Sequence, residues 1–127
     1  MALTKDELLH QARQTLTIIN ANETESLMAS GALMLDVREP NEFDMGHLSS
    51  AVNIPRGLLE FMVGNNPALK DFEKSIVVYC KNGGRSTLAA DTLQKMGFSQ
   101  IKMLAGGFDD WTGTVHKVEI ADNQYKG

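Results

Sequence analysis

The residues of this chain best suited to chemistry are Cys80-Lys81-Asn82-Gly83-Gly84-Arg85-Ser86. Cys80 is the one cysteine among 127 residues, which excludes an internal disulfide and any multi-cysteine zinc cage. It is either small apolar filler or a reactive thiol. Ahead of it, Ser75-Ile76-Val77-Val78-Tyr79 reads as a buried strand; beyond it, Leu88, Ala89, Ala90 and Leu93 have helical spacing. A sulfur between the two sits at a helix N-terminus, where unpaired N–H groups and the positive end of the dipole favour an anion, so the thiol pKa should fall. Gly83 and Gly84 accept positive φ, which lets the loop curl into a nest of inward-facing amides around the sulfur. Lys81 and Arg85 place cations on its rim. A plain strand-to-helix turn also uses glycine, and single cations at turns are ordinary surface. Their joint occurrence with the lone cysteine is instead the pattern of an activated nucleophile, expected to be electropositive and partly exposed.

The elements that must position this loop are short and alternate. Thr4 with Glu7 three residues on is a capping signature for a helix through Leu8, Leu9, Ala12 and Leu16. Thr17-Ile18-Ile19 has strand character, and Asn22 or Thr24 then opens a helix through Leu27 and Met28 that stops at Gly31. Ala32-Leu33-Met34-Leu35 is continuous rather than alternating, as in a strand covered on both faces, and runs into Asp36-Val37-Arg38-Glu39-Pro40. Ala51-Val52-Asn53-Ile54 and Ile101-Lys102-Met103-Leu104 are two further strands, and Thr87 to Met96 is a helix. Strands alternating with helices predict an α/β fold with a parallel sheet between helix layers. Ligands in such sheets collect beyond the strand ends, and three ends carry reactive or glycine-rich groups: Asp36 with Arg38, Cys80 onward, and Gly106-Gly107.

Composition sets the outer limits. With 43% hydrophobic and 22% charged residues and no repeat or linker, the chain is sized for one globular domain. A net charge of −4 without a basic run argues against nucleic acid as a partner. No window approaches the ~18 apolar residues of a spanning helix, and the N-terminus lacks a secretory pattern, so no membrane partner and a cytoplasmic location are expected. The seven methionines are scattered and read as core, not as a metal box, and His10 and His116 read as surface.

Taken in order, Leu35-Asp36-Val37-Arg38-Glu39, Glu42-Phe43, Gly46-His47-Leu48, Ala51-Val52-Asn53-Ile54-Pro55, the cysteine loop, Gly97-Phe98 and Leu104-Ala105-Gly106-Gly107-Phe108 with Trp111 resemble the rhodanese-like domain family, of the single-domain thiosulfate sulfurtransferase type. The resemblance covers about residues 17 to 111. It implies a central five-stranded parallel sheet with helices on both faces. Residues 1–16 become an N-terminal helix packed on the domain, 17–112 the domain itself, and 113–127 a C-terminal extension whose role it leaves open. It further implies that Cys80 is the nucleophile and becomes a persulfide, and that Lys81, Asn82, Gly83, Gly84, Arg85 and Ser86 form the cradle, Arg85 helping to bind an anionic donor. Asp36 and Arg38 brace the loop, His47 belongs to a structural turn rather than serving as a base, and Phe108 and Trp111 close the core. Six residues from Cys80 to Arg85 resemble the sulfurtransferases; related cell-cycle phosphatases carry one more, making room for phosphate. Lys81 stands where arginine is frequent in the family, which weakens any bidentate grip on thiosulfate.

The implied reaction takes sulfane sulfur from thiosulfate or a similar small-molecule donor and passes it to a thiophilic acceptor: cyanide in an assay, a thiol or a protein in a cell. No metal or cofactor is expected. With no second cysteine, no group in the chain can resolve the persulfide, so the acceptor is external. Two alternatives stand beside it: a persulfide relay protein with little small-molecule turnover, and phosphatase or arsenate reductase activity in the same scaffold.

Overall fold

The computed structural model of the chain describes residues 2–118. The elements in chain order are α1 (Lys5–Arg13), β1 (Thr17–Ile19), α2 (Ala21–Ala29), β2 (Leu33–Asp36), α3 (Pro40–Met45), β3 (His47–Leu48), β4 (Val52–Asn53), α4 (Leu59–Met62), β5 (Ile76–Tyr79), α5 (Gly84–Lys95), β6 (Ile101–Leu104) and β7 (Val115–His116). Single turns of 3₁₀ helix surround α4 and follow β6.

Five strands form one parallel sheet in the order β1-β6-β5-β2-β4. The central strand β5 is Ile76-Val77-Val78-Tyr79, β-branched and aromatic residues that are all buried, because layers cover both of its faces. On one face, Ile76 and Val78 pack with Leu35 and Ile54 against Leu59 of α4 and Ala89, Ala90 and Leu93 of α5. On the other, Val77 and Tyr79 meet Met34, Leu48 and Leu104, flanked by Leu27 and Met28 of α2 and by Phe108 and Trp111. The buried Tyr79 hydroxyl is satisfied by accepting the Leu48 N–H at 3.1 Å. The expected five-stranded α/β architecture is therefore the one observed.

From β2 the chain moves outward to β4 on one side, and from β5 outward to β6 on the other. The two adjacent central strands thus define the point where strand order reverses, the position at which open α/β sheets form a crevice. Asp36 ends β2 and Cys80 immediately follows β5, so topology alone brings these two stretches side by side.

Several local expectations change. The cap of α2 is Asn20, not Asn22 or Thr24: its side chain accepts the Glu23 N–H at 2.8 Å while Glu23 returns a bond to the Asn20 N–H, a reciprocal box that starts the helix earlier. The same device works at Thr4 and Glu7 as anticipated, but Leu8 is exposed; Leu9 and Ala12 are the residues α1 buries as it packs along α5. Helix α5 begins at Gly84 rather than Thr87. The antiparallel ribbon β3–β7, pairing His47 with His116, has no counterpart in the sequence reading. It uses the first residues of the proposed C-terminal extension, of which 119–127 lie outside the described residues. No described helix is long and apolar enough to cross a membrane.

Candidate active site

Cys80 leaves the central strand and turns its side chain to the α5 face, among the apolar residues there. Its exposure is 0%. This corrects the expectation of a partly exposed thiol: the sulfur lies under its own loop.

The loop is shaped around one glycine. Gly83, at φ +109°, is the left-handed residue that caps α5, a conformation that costs little only without a β-carbon. Its N–H donates to Cys80 Sγ at 3.1 Å. Gly84 is the first residue of α5 and has no positive φ, so one glycine of the pair carries the turn. The Gly83 carbonyl is held from the other side: Thr87 Oγ1 donates to it at 2.6 Å and accepts from Arg13 Nε at 3.1 Å. Ser86 Oγ lies 3.4 Å from the sulfur and 3.2 Å from the Gly83 carbonyl. With the thiol protonated, Cys80 Sγ donates to Ser86 Oγ and the single Ser86 hydroxyl hydrogen serves the Gly83 carbonyl; the same hydroxyl is within reach to donate to an ionised sulfur.

Two effects compete at the sulfur. Burial pushes the Cys80 thiol pKa up, while hydrogen bonding from the Ser86 hydroxyl and from the backbone of Ser86, Gly83 and Asn82 pulls it down; the donors win, and the pKa lies below the ordinary cysteine value. The α5 dipole acts in the same direction.

The turn after β6 closes the far side of the loop. Phe108 N–H donates to the Cys80 carbonyl at 2.8 Å and Asp109 N–H to the Lys81 carbonyl at 3.0 Å. These bonds anchor the backbone immediately after the thiol.

The rim cations are not as anticipated. Both terminal nitrogens of Arg85 are taken by Glu42, at 2.7 and 3.1 Å, and Lys81 Nζ donates to Asp109 at 2.8 Å. The Arg85 bond holds the Glu42 carboxyl down at about 2, so Glu42 is charged at any neutral pH. Asn82 is exposed, and among the described residues its side chain makes no hydrogen bond.

Asp36 and Arg38 form a buried bidentate pair, Arg38 Nε to Asp36 Oδ1 at 3.0 Å and Nη2 to Oδ2 at 2.7 Å, with Nη2 also reaching the Gly46 carbonyl at 2.6 Å. Neither side chain hydrogen-bonds the 80–86 loop, contrary to expectation. Their link is indirect: the Arg38 guanidinium lies over the Phe108 ring at 4.4 Å, and Phe108 holds Cys80. His47 stacks on Phe43 at 3.7 Å between centroids, with Nδ1 2.9 Å from the Phe43 carbonyl, which is the bonding of a turn. Among the described residues, no three His, Cys, Asp or Glu side chains gather as metal ligands would.

Four residues of the site escaped the sequence reading as site residues. Glu42 and Asp109 lie 43 and 28 positions from the cations they pair with, a distance no local pattern bridges. Thr87 had a visible signal, a hydroxyl in the first turn of the helix after the loop. Arg13 reaches the loop only through tertiary packing of α1.

The family description "Rhodanese-like domain" matches residues 20–114. An uncharacterised Bacillus subtilis protein, YqhL, is 44% identical over 84 residues, 66% of this chain and 64% of that one, so the matched stretch spans less than two thirds of the relative. Thiosulfate sulfurtransferase GlpE of Ectopseudomonas mendocina is 30% identical over 96 residues, 76% of this chain and 84% of that one. Among solved structures, a Rhodopseudomonas palustris protein of unknown function, described as a possible tyrosine phosphatase, superposes with a TM-score of 0.79 at 28% identity, covering 87% of this chain and 90% of that one.

Proposed function

The chain belongs to the rhodanese-like domain family, and from that premise we propose that it is a sulfurtransferase in which Cys80 takes sulfane sulfur from thiosulfate or a similar donor and holds it as a persulfide. The observation that carries this reading is the Gly83 N–H at 3.1 Å from Cys80 Sγ, at the start of α5, with the thiol pKa lowered despite complete burial. A buried apolar cysteine has no need of such donors, and this one has them preorganised.

In the first half-reaction the Cys80 thiolate attacks the outer sulfur of thiosulfate, the S–S bond of the donor breaks, and sulfite leaves with the electron pair. In the second, a thiophilic acceptor such as cyanide or a thiolate attacks the outer sulfur of the persulfide, and the Cys80 thiolate is restored. Gly83, Ser86 and the α5 dipole stabilise negative charge on whichever sulfur bears it. Asn82, Gly84 and the backbone at Lys81 and Arg85 complete the cradle, while Asp36 and Arg38 support it through Phe108.

Intact mass after brief thiosulfate treatment tests the reading. A gain of about 32 Da, one sulfur atom, removed by cyanide and absent in Cys80→Ser, is expected; wild-type protein that gains no more than the variant overturns it.

The relay alternative, in which the sulfur comes from and goes to other proteins, is favoured by one observation: both rim cations are already paired with carboxylates. Rapid persulfide transfer from a protein donor, with slow use of thiosulfate, distinguishes it. The phosphatase reading attached to the R. palustris neighbour is disfavoured by the short Cys80–Arg85 loop, and Cys80-dependent hydrolysis of an aryl phosphate would revive it.

A further inference from the structure

We infer that Glu42 is a specificity-determining residue: by occupying the Arg85 guanidinium it turns the Cys80 site away from small dianionic sulfur donors and toward hydropersulfides, R–S–SH, borne by a thiol or a protein. This rests on Cys80 being the nucleophile and names the donor class for that site.

Of the two cations carried by the loop itself, Arg85 has both terminal nitrogens engaged by Glu42 and Lys81 is engaged by Asp109, while Arg13 of α1 reaches the loop from outside through Thr87. These four side chains of the two pairs sum to zero within a chain of net charge −4, so neither of the loop's own cations offers a dianion an attractive excess. Both carboxylates are fixed in place. Glu42 Oε1 also accepts the Glu39 N–H at 3.0 Å in the capping box of α3, and the Asp109 N–H donates to the Lys81 carbonyl at 3.0 Å. A groove of about 330 Å³ beside the loop is walled by Glu42, Asp109, Lys81, Met45 and Phe108. Arg38 also lines it, and a donor entering it meets cations already paired, Arg38 with Asp36 and Lys81 with Asp109, beside two apolar side chains. To reach Arg85, thiosulfate must displace a preformed bidentate partner, and an entering anion gains only the difference between two similar pairs.

A hydropersulfide needs no such displacement. The Cys80 thiolate attacks its outer sulfur, the donor S–S bond breaks, the electron pair leaves on R–S, and the proton of the former S–SH passes to that leaving thiolate. The products are R–SH and the Cys80 persulfide anion, with one proton and one negative charge on each side of the equation. No oxidant is consumed.

Glu42→Gln is the direct test, since glutamine keeps the oxygen that caps Glu39 N–H and removes the charge. The first readout is the rate of Cys80 alkylation by iodoacetate divided by that by iodoacetamide, an anionic and a neutral probe of the same thiolate. The ratio is expected to rise about fivefold in Glu42→Gln, the scale of losing one nearby charge at a partly solvated site. The second readout is kcat/KM for thiosulfate over that for cysteine hydropersulfide, expected to rise in parallel. Asp109→Asn, which frees Lys81, should move both ratios the same way and covers the case of a poorly folded Glu42 variant. Ratios that stay level or fall in folded variants overturn the proposal. If no protein forms a persulfide with either donor, the sulfurtransferase reading fails, while the alkylation ratio still reports whether Glu42 screens the site.

Discussion

Gly107 lies against the Cys80 carbonyl so closely that a β-carbon built on it would stand 2.5 Å from that oxygen and 2.7 Å from the Lys81 carbonyl oxygen. Both contacts are with backbone, which cannot rotate away, and Gly107 also sits at φ +61°. Gly107→Ala should therefore push the cysteine loop off the Phe108 and Asp109 amides that hold it. The expected result is a loss of about 1–3 kcal/mol in stability and of tenfold or more in sulfur transfer, since small misplacements of reacting groups are costly. Denaturant titration with persulfide-formation kinetics checks it; a variant with wild-type rates would mean the loop is not held there.

Removing the Ser86 hydroxyl isolates one donor to the sulfur. Ser86→Ala leaves burial to raise the Cys80 pKa with fewer bonds opposing it. The pH profile of iodoacetamide alkylation should move to higher pH, and the rate at pH 7 should drop about tenfold, the worth of one hydrogen bond to a charged group at ~1.5 kcal/mol. An unmoved profile would assign the lowering to the backbone amides and the helix alone.

The cysteine loop was legible because it is local: strand, glycine and helix follow one another within a dozen residues, and the thiol at a helix start is written in their order. The parallel sheet was legible for the same reason, from continuous runs such as Ile76–Tyr79. What could not be read is contact across the chain. Arg85 looks like an anion receptor until Glu42 folds onto it from α3. Arg38 looks like a brace for the loop until its guanidinium is seen shared among Asp36, Gly46 and Phe108. Reactivity in the sequence does not imply access, because a capped helix start can ionise a sulfur that has no exposure, as at Cys80.

The Asp36–Arg38 pair should be a stability determinant first. Asp36→Ala leaves a buried guanidinium without its carboxylate, and such half-removed pairs cost about 3–5 kcal/mol. Chemical denaturation gives the number directly. A cost below about 1 kcal/mol would show that Gly46 and the Phe108 ring suffice to hold Arg38.

The Glu42–Arg85 clamp adds a pH dependence of known sign. Glu42 is depressed from 4.5 to about 2 by its bond to Arg85, so the clamp contributes stability above the ordinary carboxylate value and loses it as pH falls from there toward 2. Because both side chains are partly in water, the contribution is only about 0.5–1 kcal/mol. Glu42→Gln should be less stable than wild type by that amount at pH 7, with the gap narrowing toward pH 2. A gap that is the same at both ends would assign the effect to something other than ionisation.

A sulfur with no accessible surface has a kinetic corollary. An electrophile aimed at the free thiol must wait for residue 80 to become accessible, so chemically unrelated electrophiles offered in excess are expected to converge on a single limiting rate. The acceptor escapes that ceiling, because it meets the outer sulfur of the persulfide, one bond farther from the chain.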